Sequence, residues 1–269
     1  MKLSVCGKGG SGKSVLSVVL AYEIQRRGYD VIVIDSDESN SSLFRLLGLE
    51  YPPQPLTELA GGRKQIFEMF PKNQLGGSGA KTNVLSHDHI LIDEIPPEHI
   101  VKRNGIRLLS VGKILQPLEG CACPMGVLSR EFLKNLQLLH NQVVIVDTEA
   151  GVEHFGRGVE ASVDQILVVV EPSYESLIIA DKISTMVGEL GKNRPLIVIN
   201  KAPTEQISRH IVDNLKKKNL TTVGCIPYDL EIFEACLEGQ SLEGKKLPEL
   251  IPIADTLLQS KAPMDIERR

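Results

Sequence analysis

Short apolar runs recur along the chain, each closed by a polar or glycine-rich break. They are Leu3–Val5, Val31–Ile34, Ile106–Val111, Val143–Val146, Ile166–Val170, Leu196–Ile199 and Thr222–Ile226. Most are continuous and rich in β-branched residues rather than alternating, which predicts strands buried on both faces of a parallel sheet. Between them lie stretches with helical character: 15–27, 126–139, a segment ending near Leu190, 205–218, and two short ones at 231–238 and 248–260. Strands alternating with helices predict an α/β fold, a mostly parallel central sheet with helices on both faces. One region departs from this rhythm. Residues 50–105 are punctuated by Pro52-Pro53-Gln54-Pro55, Gly61-Gly62, Gly76-Gly77-Ser78-Gly79 and Pro96-Pro97, the marks of turns and loops. Within it we expect a short helix over Arg63–Phe70 and a strand over Ile90–Ile95. The reading is one domain, 1–269, carrying a loop-rich insertion at about 50–105.

Bulk properties narrow the class. The chain has 269 residues, 42% hydrophobic and 24% charged, ordinary values for a globular protein. A net charge of −4 gives no electrostatic case for nucleic acid or an anionic membrane as partner. No apolar run approaches the ~18 residues that would suggest a membrane span, and no leader-like apolar stretch precedes the first strand. We therefore expect a cytoplasmic protein. Its five cysteines (Cys6, Cys121, Cys123, Cys225 and Cys236) are then expected to be thiols.

The breaks after the apolar runs carry the chemistry. The first run opens into Gly7-Lys8-Gly9-Gly10-Ser11-Gly12-Lys13-Ser14 and then a helix. This strand, glycine loop and helix start fit the P-loop spacing, in which backbone N–H groups curl around phosphate oxygens. Lys13 is expected on the β/γ-phosphates of ATP and Ser14 on Mg²⁺. Gly7, Gly9 and Gly12 also satisfy a dinucleotide fingerprint, with Asp35 near the place of a ribose-binding acid. The pair Lys13-Ser14 favours the P-loop, because a dinucleotide site has no role for it. Asp35 and Asp37 close the second run, at the carboxyl edge where parallel sheets bind ligands. They can reach Mg²⁺ and the attacking water. Asp147 closes Val143–Val146 and leads into a glycine-punctuated loop, 147–158. That is the pattern of a Walker B aspartate holding Mg²⁺ through water.

Cys121-Ala122-Cys123 lies between Gly120 and Pro124. Two thiols are too few for a closed metal site, and such a pair is often two unrelated thiols. In a symmetric dimer two copies supply four thiolates, a donor set suited to Zn²⁺, Ni²⁺ or an iron–sulfur cluster. Cys6, Cys225 and Cys236 read as packing residues. His87-Asp88-His89 reads as a polar loop. His154 reads as a switch residue, with transient metal ligation as the alternative.

Lys8 within the glycine loop, Asp35-Ser36-Asp37, Asp147, Glu171-Pro172-Ser173 with Ser176-Leu177, and Asn200-Lys201 together resemble the deviant Walker A ATPases of the MinD/ParA/nitrogenase-iron-protein class. The resemblance runs from residue 1 to about 240, less clearly through 50–105. It implies that Lys8 reaches the partner subunit's nucleotide, that Asp37 positions water, that Asn200 and the Pro227 region meet the adenine, and that Lys201 belongs to the nucleotide site. Gly120-Cys121-Ala122-Cys123-Pro124 with Glu149-Ala150-Gly151-Val152-Glu153-His154-Phe155-Gly156-Arg157-Gly158 is similar to the CooC-type accessory ATPases. That resemblance implies a homodimer holding one Ni²⁺ (or Zn²⁺) at Cys121 and Cys123. It also implies ATP-coupled nickel insertion into a client, carbon monoxide dehydrogenase or acetyl-CoA synthase. Two alternatives stand beside it: an iron–sulfur carrier or electron-donating ATPase, and a MinD/ParA-like positioning ATPase. The last helical stretch, Pro248–Ser260, has no Lys or Arg and fits a membrane-surface helix poorly.

Overall fold

The structure is a computed structural model that describes residues 1–40, 42–62, 65–66, 85, 87–114 and 123–259, with Cys123 described by its backbone alone. The strands are β1 (Lys2–Gly7), β2 (Asp30–Ser36), β3 (Ile90–Leu91), β4 (Val101–Arg103), β5 (Ile106–Ser110), β6 (Leu136–Gln137), β7 (Gln142–Thr148), β8 (Gln165–Val170), β9 (Leu196–Ala202) and β10 (Thr221–Pro227). The helices are α1 (Lys13–Arg26), α2 (Leu43–Leu46), α3 (Leu56–Leu59), α4 (Cys123–Asn135), α5 (Glu153–Arg157), α6 (Tyr174–Glu189), α7 (Glu205–Lys217), α8 (Leu230–Leu237) and α9 (Leu250–Gln259). Eight strands form one sheet in the order β10-β9-β8-β1-β7-β2-β5-β4. Every pairing is parallel except β4 with β5.

The continuous apolar runs are explained by a core on each side of the sheet. Along β2, Val31 and Val33 face the layer formed by α1 and α9, while Ile32 and Ile34 face the layer containing α4 and α6. Side chains alternate faces in a strand, so two covered faces demand apolar residues at every position. Leu16, Val19, Ile253 and Leu257 fill the first layer, and Leu128, Phe132, Ile183 and Val187 the second.

Two boundaries differ from expectation. The strand expected over Ile90–Ile95 is reduced to Ile90–Leu91, pairing with Leu136–Gln137, followed by a 3₁₀ turn at Ile92–Glu94. The Glu94 carboxylate accepts the Leu91 N–H at 2.9 Å and bends the chain; Pro96 and Pro97 then remove further backbone donors. The alternation that suggested a strand is real burial, since Ile90, Ile92 and Ile95 are all in the core. The helix expected over 126–139 runs instead from Cys123 to Asn135 and yields to β6. Of the helix expected over Arg63–Phe70, only residues 65 and 66 are among the described residues, and both are helical. Leu56, Ala60, Ile66 and Leu85 from the 50–105 region are buried in the same core as Leu109 and Val111. Among the described residues no helix is long and apolar enough to cross a membrane.

Candidate nucleotide and switch site

Register places the acids side by side. β2 and β7 are neighbours with Asp35 opposite Asp147 and Ser36 opposite Thr148, and on the other side of β7 Val5 of β1 is opposite Asp147. The glycine loop leaves β1 at this same carboxyl edge. Gly7 has φ +141° and a Cβ there would lie 2.4 Å from the Val169 carbonyl oxygen. Gly12 has φ +94° and a Cβ would lie 2.3 Å from Asn200 Nδ2. Both positions therefore need glycine for space as well as for conformation. Lys13, the first residue of α1, curls back so that Nζ donates to the Lys8 carbonyl at 3.3 Å. Lys201 Nζ donates to the Gly10 carbonyl at 2.6 Å, and Asn200 Nδ2 to that of Ser11 at 2.9 Å. The residues expected to meet nucleotide thus converge on one loop from β1, α1 and β9.

A cavity of about 130 Å³ opens beside Gly12, lined by Val15, Asn200, Pro227, Tyr228, Ile232 and Phe233. Its apolar walls and its position against the glycine loop suit the base and sugar of a nucleotide. Pro227, expected near the base, is among its lining residues. The expectation did not include Tyr228 or Phe233, whose rings lie 6.0 Å apart.

Lys8 Nζ lies 2.7 Å from Glu171 Oε1 of its own chain, a hydrogen bond and charge that raise the lysine's pKa. Ser173 caps α6 by accepting the Ser176 N–H and donates to the same Glu171 oxygen at 3.4 Å. Asp37 Oδ1 accepts from Ser39 N, Ser39 Oγ and Asn40 N, at 2.9, 2.6 and 3.2 Å. These bonds shape the loop after β2. Asn40 Nδ2 in turn donates to Ser14 Oγ at 2.9 Å.

Three carboxylates converge here. Burial is the main cause that pushes Asp35 up to about 6, resisted by the Lys113 ammonium and aided by Asp37. Burial again dominates at Asp147, pushed up to about 7, with a Ser14 hydrogen bond opposing and Asp35 reinforcing. Asp147 Oδ2 is buried without a hydrogen-bond partner. Such a set is short of positive charge, and with the Ser14 hydroxyl it fits a hydrated divalent cation.

Several participants were not anticipated. Lys113, just past β5, donates to Asp35 Oδ1 at 2.7 Å, to the Asp37 carbonyl at 2.5 Å and to the Asn40 carbonyl. The available signal was a lysine immediately after a strand at the ligand edge. Arg157 Nη1 lies 2.5 Å from Glu38 Oε1 and 2.7 Å from Glu149 Oε1. Burial and the neighbouring Glu38 push Glu149 up to about 8, against the Arg157 charge.

His154 is buried. Its Nδ1 meets the fully buried Glu160 carboxylate, and Nε2 lies 3.5 Å from Thr148 Oγ1. With both ring nitrogens turned inward, transient metal ligation by His154 is not supported; the residue braces the loop 147–158 from beneath. His87, Asp88 and His89 form an exposed bend; no three His, Cys, Asp or Glu among the described residues are grouped to hold an ion directly, so a cation at Asp35 and Asp147 would complete its shell with water. Cys6 is fully buried, and Cys225 and Cys236 are half-buried. Cys121 lies outside the described residues. Cys123 begins α4, whose Ser129 Oγ is 3.1 Å from Ser36 Oγ.

Residues 3–242 match the family model described as the CobQ/CobB/MinD/ParA nucleotide binding domain. The chain belongs to this family. An ATP-binding protein of Methanocaldococcus jannaschii is 43% identical over 257 residues, 96% of this chain and 99% of its own. The carbon monoxide dehydrogenase accessory protein CooC of Rhodospirillum rubrum is 32% identical over 249 residues, 90% of this chain and 89% of its own. Among solved structures, the septum site-determining protein MinD of Pyrococcus horikoshii, complexed with Mg-ADP, superposes with a TM-score of 0.68 at 18% identity. It covers 98% of this chain and 99% of its own. The chain is thus a P-loop ATPase of the MinD/ParA class.

Proposed function

We propose that this MinD/ParA-class ATPase is a cytoplasmic homodimeric metallochaperone of the CooC kind. In this reading it binds Ni²⁺, or Zn²⁺ at the same place, between the Cys121 and Cys123 pairs of two chains. ATP binding and hydrolysis then drive nickel delivery to a client nickel enzyme, carbon monoxide dehydrogenase or acetyl-CoA synthase. The 32% identity to CooC supports the class of client.

The observation that carries the coupling is the Ser36–Ser129 hydrogen bond, 3.1 Å long. It ties the strand end bearing Asp35 to the helix that begins at Cys123. A helix so attached is placed to respond when the acids beside it change partners.

In this reading the loop Gly7–Gly12 cradles the phosphates, Lys13 neutralises the β/γ-phosphate charge, and Asn200, Lys201 and Pro227 hold the nucleoside. Ser14, Asp35 and Asp147 would hold Mg²⁺, which when bound supplies charge neutralisation at the phosphates. Asp37, fixed by three donors, orients the attacking water. Lys8 leaves Glu171 for the partner chain's nucleotide, so that dimerisation follows ATP.

Nickel delivery tests the reading. Reduced protein with Ni²⁺ and Mg-ATP should activate metal-free carbon monoxide dehydrogenase, and the Cys121→Ser/Cys123→Ser and Asp37→Ala variants should not. Activation by the cysteine variant equal to the unmodified chain would overturn it.

A further inference from the structure

Arg157 occupies a position that its place in the sequence does not advertise. Its guanidinium Nη1 is 2.5 Å from Glu38 Oε1 and 2.7 Å from Glu149 Oε1. Glu38 follows Asp35 and Asp37 on the loop after β2, and Glu149 follows Asp147 on the loop after β7. One cation therefore joins the two loops that carry the acids of the nucleotide site. The ion pairs are largely shielded, with the Glu38 side chain 7% and the Arg157 side chain 21% exposed.

The stem of the same arginine lies against α4. A Cβ at Gly126 would be 2.3 Å from Arg157 Cδ and 2.9 Å from its Cβ, so the notch exists only because residue 126 has no side chain. One turn further along α4, Arg130 Nη1 donates to the Arg157 carbonyl at 3.3 Å. Gly158 then ends α5 in a left-handed conformation at φ +78°. Arg157 is thus held by both loops at its head and by the first two turns of the Cys123 helix at its stem and backbone.

We propose that Arg157 is a second positioning residue, beside the Ser36–Ser129 hydrogen bond, through which nucleotide state reaches the helix headed by Cys123. The proposal rests on the metallochaperone reading for what that helix finally controls. Two carboxyl groups, Glu38 and Glu149, meet one nitrogen of the guanidinium. When either loop moves toward the γ-phosphate side, Arg157 stays with the remaining carboxylate and its stem shifts in the Gly126 notch. That gives the head of α4 two discrete arrangements, set by which glutamate holds the arginine.

The test uses the full-length reduced protein and two readouts. Hydrogen exchange of peptides spanning 123–135 is compared with ADP and with a non-hydrolysable ATP analogue, without nickel. Ni²⁺ affinity is then measured by equilibrium dialysis in the same two states. The unmodified chain should show a nucleotide-dependent change in exchange at the head of α4 and an affinity difference of roughly tenfold, within the usual range of coupling. Arg157→Gln should cut both differences by more than half, the remainder passing through the Ser36–Ser129 hydrogen bond, while still binding ADP. Gly126→Ala fills the notch without removing a charge, and should reduce the same differences even if Arg157→Gln proves poorly folded. Either variant retaining the full exchange difference overturns the proposal. A helix that responds through Arg157 in a chain that binds no nickel would uphold the coupling and reject the metallochaperone reading.

Discussion

Lys113 Nζ lies 2.7 Å from Asp35 Oδ1. The same ammonium donates to the carbonyls of Asp37 and Asn40, so its three donors are matched by three acceptors on one short loop. The neighbouring backbone runs alongside as well, Val111 N to Asp35 O at 2.9 Å and Ile114 N to Glu38 O at 3.1 Å. Lys113 therefore fixes the loop that presents Asp35, Asp37 and Asn40 to the glycine loop. Lys113→Met should lower the rate of ATP hydrolysis by about 10- to 100-fold, the usual penalty for misplaced catalytic groups. Lys113→Arg should not restore it, because three convergent acceptors fit an ammonium and not a planar fork. Steady-state phosphate release measures both; an unchanged rate in Lys113→Met would show that the loop holds itself.

The raised carboxyls make stability depend on pH in a direction opposite to the usual one. Unfolded aspartates titrate near pH ~3.9, whereas Asp35 and Asp147 titrate at about 6 and about 7 in the folded chain. Between those values the folded state holds protons the unfolded state has released. Stability contributed by these groups is therefore lost as pH rises from about 4 through about 7. For Asp147 the loss is on the order of 4 kcal/mol. Without nucleotide and Mg²⁺, the Tm should fall by roughly 5–10 °C between pH 5 and pH 8. Asp147→Asn should flatten much of that slope, and saturating Mg-ADP should do the same in the unmodified chain. Scanning calorimetry across pH decides; a Tm that rises over this range would contradict the placement of the acids.

His154 and Glu160 form a buried pair beneath the switch loop, with Ser4 Oγ donating to Glu160 Oε1 at 3.3 Å. His154→Ala leaves the buried Glu160 carboxylate with the Ser4 hydroxyl alone, at a cost of about 3 kcal/mol. Adding Glu160→Gln to that variant should recover part of the loss, since a neutral amide is cheaper to bury than an unpaired charge. Denaturant unfolding of the single and double variants measures the recovery. Greater destabilisation in the double variant would mean that Glu160 is held by groups other than His154.

The Lys8–Glu171 ion pair is partly exposed, the two side chains being 30% and 19% accessible. Such pairs contribute little to folding. Lys8→Ala should leave Tm and ADP affinity nearly unchanged yet abolish ATP-dependent dimerisation. Light scattering with a non-hydrolysable analogue checks this, and an ATP-dependent dimer in the variant would remove Lys8 from the interface.

The sheet and the nucleotide edge were legible because their signals are local and periodic. Val31–Ile34 announces two covered faces at once, and the spacing from Gly7 to Ser14 is fixed by the shape of a phosphate. The strand expected over Ile90–Ile95 was misjudged because its alternation reports burial, which a turn capped by Glu94 satisfies as well as a strand does. The contacts of Lys113, Glu38 and Arg157 are illegible in the sequence for a different reason, although Arg157 stands in the run 149–158 that carries the resemblance. Each is one charged residue in a loop, and its meaning comes from strand register, Asp35 beside Asp147, that brings distant loops together. Gly126 in the same way looks like a weak point in a helix until Arg157 is seen lying against it.

In the function proposed above, two chains hold one metal through Cys121 and Cys123 under control of the nucleotide edge. Titration of the reduced protein with Ni²⁺ tests it most directly, with metal counted per chain and the Cys121→Ser/Cys123→Ser variant run alongside. The account predicts one tightly held Ni²⁺ for every two chains, lost in the variant. One metal per chain, or binding undiminished in the variant, would contradict it.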